Sequence, residues 1–198
     1  MAKKISRPKQ LLLDYQECGS IDEELTLSIA TRNIYLMGDI DTKSARRVIS
    51  TLHLLDRMGK DPIRLYLCSE GGFVSDSKVI LDALYSMKNS KVDVIATGYA
   101  ESCAAELLIL SPPQHRWITP TSYLMLHNMY STWEEPLEMK KKRSRMKWEA
   151  GLENRDIKAL AKIIDLTEEK LTKKISANEW YIPVDEALKL NMVDGVWQ

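Results

Sequence analysis

Residues 98–110 read GYAESCAAELLIL and decide the fold of this chain. The apolar run at residues 92–97 predicts a buried strand before them, and the alanines and leucines after Ser102 favour a buried helix. Gly98 and Ser102 lie between the two, as in a strand–turn–helix unit. The start of a helix has unpaired N–H groups and a positive dipole end, which could stabilise an oxyanion. Ser102 is therefore a candidate nucleophile, with an ordinary helix N-cap as the alternative.

Two other stretches place reactive groups at the ends of predicted strands. The sequence SEGG at residues 69–72 follows the strand-like run 63–67, and His127 follows the strand-like run 122–126. Open α/β sheets build their sites at the carboxyl ends of strands. A neutral imidazole within reach of Ser102 would act first as general base and then as general acid. A structural histidine bonded to backbone is the alternative.

In the order Gly-Gly, Ser, His, this pattern resembles the proteolytic subunits of the Clp protease (ClpP) and their crotonase-like relatives. The family's SPGG corresponds to residues 69–72 and its GxAAS to residues 98–102. Its strand ending in the catalytic histidine corresponds to residues 124–127, and His127 follows Ser102 by 25 residues, as in the family. The ending DEALKLNMVD at residues 185–194 is similar to the family's EEA…GLVD segment. The resemblance extends over roughly residues 33–196.

The resemblance implies an α/β fold of the ClpP/crotonase type, with repeated β-β-α units and a C-terminal helical handle. It implies that Ser102 attacks a peptide carbonyl while His127 relays the proton. The N–H groups of Gly72 and Cys103 would then form the oxyanion hole. This chemistry needs no metal and no cofactor.

The third member of the catalytic triad is the weakest part of the pattern. The aspartate of the family would fall at about Ile175, or at Lys174 with a shifted gap, and neither residue can replace it. Asn178 and Glu179 are the nearest polar candidates for holding the imidazole N–H. Loss of the carboxylate can lower turnover by about 10⁴ when the tautomer is wrong.

Several residues around the predicted site depart from the family pattern. Glu70 replaces the proline of SPGG, Glu101 replaces an alanine, Ala104 replaces a glycine, and Glu106 interrupts an apolar helix. A buried carboxylate is unfavourable unless it is paired or faces a cavity or an interface. The sequence assigns no role to the three glutamates. Cys103 offers a thiol nucleophile as a weaker alternative, because an apolar helix should raise the pKa of a thiol.

The composition of the 198 residues narrows the kinds of protein that this chain can be. Hydrophobic residues make up 44% and charged residues 28%, as in soluble globular proteins, and 28 basic residues balance 28 acidic ones. This balance gives no support for nucleic-acid binding. Three widely spaced cysteines favour a reducing, cytoplasmic setting, and no apolar run approaches the ~20 residues of a membrane span. We expect a flexible N-terminal arm at residues 1–32, in which residues 21–29 are the candidate for a short helix or strand, and one ClpP-like domain at residues 33–198.

The leading functional prediction is a serine endopeptidase that hydrolyses unfolded polypeptides inside a chamber of stacked homo-oligomeric rings. By resemblance, an AAA+ unfoldase such as ClpX, ClpA or ClpC would feed it. The rival prediction is a catalytically impaired ClpP-like subunit that modulates a mixed ring with an active paralogue. The missing aspartate favours this rival, whereas the retained Ser102 and His127 oppose it. A crotonase-type acyl-CoA enzyme is a third reading, but it needs no Ser/His pair and the chain is short for it.

Overall fold

A seven-stranded sheet organises the residues that the structure, a computed structural model, describes: 23–128 and 139–198. The strands are β1 Asn33–Met37, β2 Ile63–Ser69, β3 Val92–Glu101, β4 Arg116–Ile118, β5 Tyr123–Leu126, β6 Trp180–Pro183 and β7 Gly195–Val196. The helices are α1 Glu23–Thr31, α2 Thr42–Met58, α3 Val74–Ser86, α4 Cys103–Leu110, α5 Met139–Ala161, α6 Glu168–Ala177 and α7 Val184–Lys189.

The sheet branches at β3. Its main path runs β1-β2-β3-β4-β7 with parallel pairing throughout. The first half of β3 pairs with β4, and its second half pairs in parallel with β5, which pairs antiparallel with β6. Parallel strands connected through helices confirm the predicted α/β class. The carboxyl ends of β2, β3 and β5 consequently lie at the same edge of the sheet.

Strand β2 shows how the sequence specifies one face of the sheet. Burial alternates along its seven residues, and the side chains of Ile63, Leu65 and Leu67 are fully buried. The intervening Arg64 and Tyr66 are half-buried on the other face. This period of two is the signature of a strand that packs one face on the core.

The sequence also predicts a helix over residues 43–58 with one apolar stripe at helical spacing, and α2 confirms it. Its N-cap, Asp41, accepts a hydrogen bond from the N–H of Ser44, whose hydroxyl accepts one from the N–H of Asp41, so the two form a capping box. The predicted apolar stripe is buried in the core at four of its five positions. These positions are Ala45, Val48, Leu52 and Leu55.

Other elements differ from the prediction in their bounds or are new. Strand β3 was predicted to end at residue 97 but continues to Glu101, because its last three residues pair with β5. The sequence predicts an amphipathic helix over residues 75–87 with Val79 on its apolar side; α3 forms there, but Val79 is 49% exposed. The sequence did not predict β4, β6 and β7, which have only two to four residues each and too few positions for a visible alternation. Helix α1 lies inside the predicted arm, and residues 1–22 of that arm lie outside the described residues.

The sequence also predicts a long helix over residues 137–164 with a solvated basic run, and α5 confirms it over Met139–Ala161. Its basic run at residues 140–143 is exposed, as predicted, whereas Ile157 and Leu160 pack into the core. Lys78 on α3 holds the helix through two hydrogen bonds to the carboxylate of Asp156, at 2.6 and 2.7 Å. Across both described ranges, no helix is long and apolar enough to cross a membrane.

Candidate active site

Ser102 forms a sharp turn between β3 and α4. Its backbone has φ 55° and ψ −129°, a left-handed conformation that is uncommon outside glycine. Ser102 does occupy the N-cap position, but its side chain makes no capping hydrogen bond. Strained residues of this kind concentrate at functional sites, and a strained strand-to-helix turn is how hydrolases present a nucleophilic serine. The hydroxyl is thus available for chemistry rather than committed to the helix.

The pairing of β3 with β5 brings His127 to this turn. Tyr99, Ala100 and Glu101 pair in register with residues 123–125, and the N–H of Ser102 continues the ladder by donating to the carbonyl of Met125. His127 comes two residues after Met125. Ser102 and His127 line the same cavity, which has a volume of about 740 Å³. The structure therefore places together the two residues that the sequence motifs singled out.

The two glycines after β2 lie against the Ser102 turn. A Cβ on Gly71 would lie 2.9 Å from the Cβ of Ser102, and one on Gly72 would lie 2.3 Å from the carbonyl oxygen of Ile40. Both glycines also have positive φ, at +98° and +146°. Only glycine fits such a close approach of backbone to backbone. The cavity beside Ser102 is lined by both Gly72 and Cys103.

Gly72 and Cys103, the residues predicted to form the oxyanion hole, lie together beside Ser102 in the cavity. Hydrogen bonding from the N–H of Gly72 and from the side chain of Ser77 lowers the pKa of the Cys103 thiol. Burial outweighs this hydrogen bonding and raises the pKa of Cys103 to about 11, with the charge of Glu106 as a second cause. This confirms the expected direction of the shift, and it leaves Cys103 protonated at neutral pH. The role of Gly72 and Cys103 as oxyanion donors stays a prediction.

The residues predicted to complete the triad lie at the junction of α6 and β6. Ile175, at the position expected for the family's aspartate, is 7% exposed and packs in the apolar core. The carboxylate of Glu179 accepts a hydrogen bond from the hydroxyl of Tyr181, at 2.8 Å. The Nδ1 atom of His127 is buried, and within the described ranges neither Asn178 nor Glu179 is bonded to it. The assignment of either residue as third member stays a prediction.

The three unassigned glutamates have different surroundings. Glu70 is exposed. Glu101 accepts a hydrogen bond from the hydroxyl of Tyr123 at 2.8 Å, and this bond raises the pKa of Tyr123 to about 12. Glu106 lines the cavity with Ser102, as a carboxylate in an apolar helix was expected to do. Burial, followed by the charge of Asp156, raises the pKa of Glu106 to about 7.

The sequence did not predict that α5 forms a wall of the cavity. Arg145, Glu149 and Leu152 line it from this helix, at a spacing of four and three residues that places them on one face. The spacing was visible in the sequence, but the contact with a turn some 40 residues earlier was not. Of the other histidines, the sequence favours a partly exposed helix position for His53 and a surface loop for His115, and His53 is exposed. His115, predicted on the surface, is half-buried and bonded to Asp93.

No group of three or more His, Cys, Asp or Glu side chains within residues 23–128 and 139–198 could hold a metal ion.

Comparison with known proteins places the fold and the motifs in a family context. A family model described as Clp protease matches residues 20–198. The chain is 38% identical over 96 residues to an ATP-dependent Clp protease proteolytic subunit of Carsonella ruddii, covering 48% of this chain and 49% of that protein. It is 29% identical over 110 residues to ATP-dependent Clp protease proteolytic subunit 2 of Pseudomonas aeruginosa, covering 55% and 54%. The chain thus spans about half the length of the curated relatives it matches.

A solved structure shares the fold at lower sequence identity. The ClpP1 N165D mutant from Listeria monocytogenes superposes with a TM-score of 0.76 over 87% of this chain and 95% of that chain, at 21% identity. This likeness confirms the predicted ClpP-type arrangement of the sheet and helices.

Proposed function

Because the chain belongs to the Clp protease family, we propose that it is a serine endopeptidase that hydrolyses unfolded polypeptides. One observation carries this proposal. Ser102 stands on a strained turn with its hydroxyl uncommitted to capping, and it shares a cavity with His127. A residue that only capped α4 would need neither the strain nor the histidine.

The proposed reaction has two halves. The Oγ atom of Ser102 attacks the carbonyl carbon of the substrate while His127 accepts the hydroxyl proton. The N–H groups of Gly72 and Cys103 stabilise the resulting oxyanion. The intermediate collapses to an acyl-enzyme as His127 gives the proton to the leaving amine. Water then attacks the ester, with His127 as base, and releases the acid and the free serine.

We further propose that the chain works in stacked homo-oligomeric rings in the cytoplasm, and that an AAA+ unfoldase supplies its substrates. The relatives are named as subunits of an ATP-dependent protease, which supports such a partner. Exposed large apolar side chains on α5 support assembly, since a monomer rarely leaves such residues together on one helix. They are Met139, Met146 and Trp148.

The second candidate is a catalytically impaired subunit that modulates a mixed ring with an active paralogue. The burial of Ile175 in the apolar core favours it, because no carboxylate stands at the position expected for the triad aspartate. The two candidates differ in whether Ser102 is activated.

Labelling with a fluorophosphonate probe distinguishes them. The probe reacts only with an activated serine, and intact-protein mass spectrometry followed by peptide mapping locates the adduct. We expect one adduct on Ser102, lost in Ser102→Ala and retained in Ser50→Ala, an exposed serine outside the cavity. Absence of any adduct, also with candidate partner subunits added, would exclude the active peptidase and leave the impaired subunit.

A further inference from the structure

Glu106 places a carboxylate inside the cavity that Ser102 lines. It lies one helical turn after Ser102, and its N–H donates to the carbonyl of Ser102 at 3.1 Å. The residues between and after them on α4 are buried and apolar, whereas Glu106 is partly exposed and lines the cavity. Among the described residues, no donor hydrogen-bonds its carboxylate.

The neighbouring basic groups already have acidic partners. Arg145, which also lines the cavity, donates from Nε to Glu149 at 3.0 Å. Lys78, on the adjoining helix α3, binds both carboxylate oxygens of Asp156. The charge of Lys78 reaches Glu106 but is opposed by that of Asp156, to which Lys78 is bonded. A largely desolvated carboxylate without a cation bonded to it is unfavourable, so a cation that enters the cavity would be stabilised beside Glu106.

The spacing of Ser102 and Glu106 on α4 determines how long a ligand side chain must be to reach from the serine to the carboxylate. Four residues of helix rise about 6 Å, so Glu106 lies about that far along the helix from the reacting serine. A lysine or arginine side chain has a flexible apolar stem of comparable length with a cation at its end. Phe73, Val74 and Leu152 offer apolar walls for such a stem.

We infer that this cavity receives the substrate side chain that precedes the cleaved bond, and that Glu106 makes it select lysine or arginine. The inference rests on the proposed peptidase function, because that side chain enters the cavity only when its carbonyl carbon is placed at Ser102. A leucine there would leave the carboxylate of Glu106 buried beside an apolar group. A glutamate would add a second negative charge and be repelled.

Two peptidyl diphenyl phosphonates test this selectivity. The probes are identical except for a lysine or a leucine analogue at the phosphorus-bearing residue. In the reaction the Ser102 oxygen displaces phenoxide from phosphorus, and the phenoxide leaves as phenol. We expect the lysine probe to label Ser102 at least about tenfold faster than the leucine probe, since a hydrogen bond between charged groups contributes that much discrimination.

The variants assign the selectivity to a single carboxylate. Glu106→Gln keeps the size of the side chain and removes its charge, so the ratio of the two rates should fall to about one. Glu101→Gln is the matched control, because Glu101 adjoins Ser102 in sequence but does not line the cavity. It should keep the lysine preference. Labelling of the wild type by the leucine probe at an equal or higher rate would overturn the inference and leave the peptidase proposal standing.

A binding measurement separates failure of the inference from failure of the proposed function. If neither phosphonate labels Ser102, the peptidase proposal is overturned. Fluorescence anisotropy with Ser102→Ala and unreactive lysine or leucine peptides then decides the preference of the cavity alone. Tighter binding of the lysine peptide by about tenfold, lost in Ser102→Ala/Glu106→Gln, supports the inference. Equal binding of the two peptides overturns it.

Discussion

The amide nitrogen of Ser102 donates a hydrogen bond to the carbonyl oxygen of Met125 at 2.8 Å. This bond extends the β3–β5 ladder by one residue and fixes Ser102 opposite the end of the strand that leads to His127. A shift of one residue in strand pairing turns every side chain to the other face. Ser102 and His127 therefore reach the same cavity because of the backbone register between β3 and β5, and not because of their own side chains.

The first prediction concerns the close approach of the Gly72 backbone. In Gly72→Ala the new methyl group would lie 2.3 Å from the carbonyl oxygen of Ile40, at a φ of +146° that alanine rarely adopts. The loop must move, and the Gly72 N–H moves with it. We expect labelling of Ser102 by a fluorophosphonate to slow by about 10²-fold or more, as for loss of one oxyanion donor.

Gly151→Ala is the matched control for this substitution. Nothing lies within 4 Å of a Cβ at Gly151, and its position inside α5 favours alanine. It should stabilise the fold by about 0.5–1 kcal/mol in urea denaturation and leave the labelling rate unchanged. An unchanged labelling rate in Gly72→Ala would contradict the placement of its N–H in the oxyanion hole.

The second prediction concerns the reactivity of Cys103. Because burial raises its pKa to about 11, the thiolate should be about 100-fold rarer at pH 7.5 than in an unfolded chain. Iodoacetamide should therefore alkylate Cys103 at least about 100-fold more slowly in the folded protein than in urea, measured by peptide mass spectrometry. Rapid alkylation in the folded protein would restore the thiol as a candidate nucleophile.

The strengths of the sequence signals explain which features could be predicted. β2 and α2 carry clear periods of two and 3.6, and their predicted positions are confirmed. The carboxyl end of β3 was missed because its residues pair with β5 instead of continuing an apolar run. The resemblance to the Clp protease family led us to expect Ser102 and His127 in one site, and the two residues line one cavity.

Helix α5 forms one wall of the cavity through tertiary contacts. No local sequence pattern could predict those contacts. The partners Lys78 and Asp156 are separated by 78 residues, and their pairing sets where α5 lies. Burial, followed by the charge of Asp156, raises the pKa of Glu106, and neither could be predicted from the local sequence. The sequence therefore identified Glu106 as an unusual carboxylate, but it did not predict which residues surround it.

The third prediction concerns the group that orients His127. The antiparallel pair of β5 and β6 ends with Leu126 opposite Trp180, and the same register continued by one residue would bring His127 opposite Glu179. We expect Glu179→Gln to slow labelling of Ser102 by about 10²–10⁴-fold, because the amide cannot stabilise an imidazolium as a carboxylate does. Tyr181→Phe removes the hydroxyl that donates to Glu179 and should not slow labelling.

Asn178→Ala distinguishes the second candidate for this role. A large loss in Asn178→Ala alone would assign the role to the amide of Asn178. Unchanged labelling in both Glu179→Gln and Asn178→Ala would show that neither residue orients His127.

The last prediction concerns how Glu106 makes stability depend on pH. Its pKa is about 7 in the folded protein against an ordinary value of 4.5, so the folded state holds the proton more tightly than the unfolded state. The resulting stabilisation is full below pH 4.5 and is lost as the pH rises through 7. Relative to Glu106→Gln, which does not titrate, the wild type should lose up to about 3 kcal/mol of unfolding free energy between pH 4.5 and 8.

Urea denaturation at a series of pH values, followed by tryptophan fluorescence, measures this difference. Two substitutions near Glu106 should shift, in opposite directions, the pH at which this stabilisation is lost. Lys78→Met removes a charge that lowers the pKa of Glu106 and should shift the loss of stability to higher pH. Asp156→Asn removes a charge that raises that pKa and should shift the loss to lower pH. Parallel curves for the wild type and Glu106→Gln would show that Glu106 is not held in a buried, acidic environment.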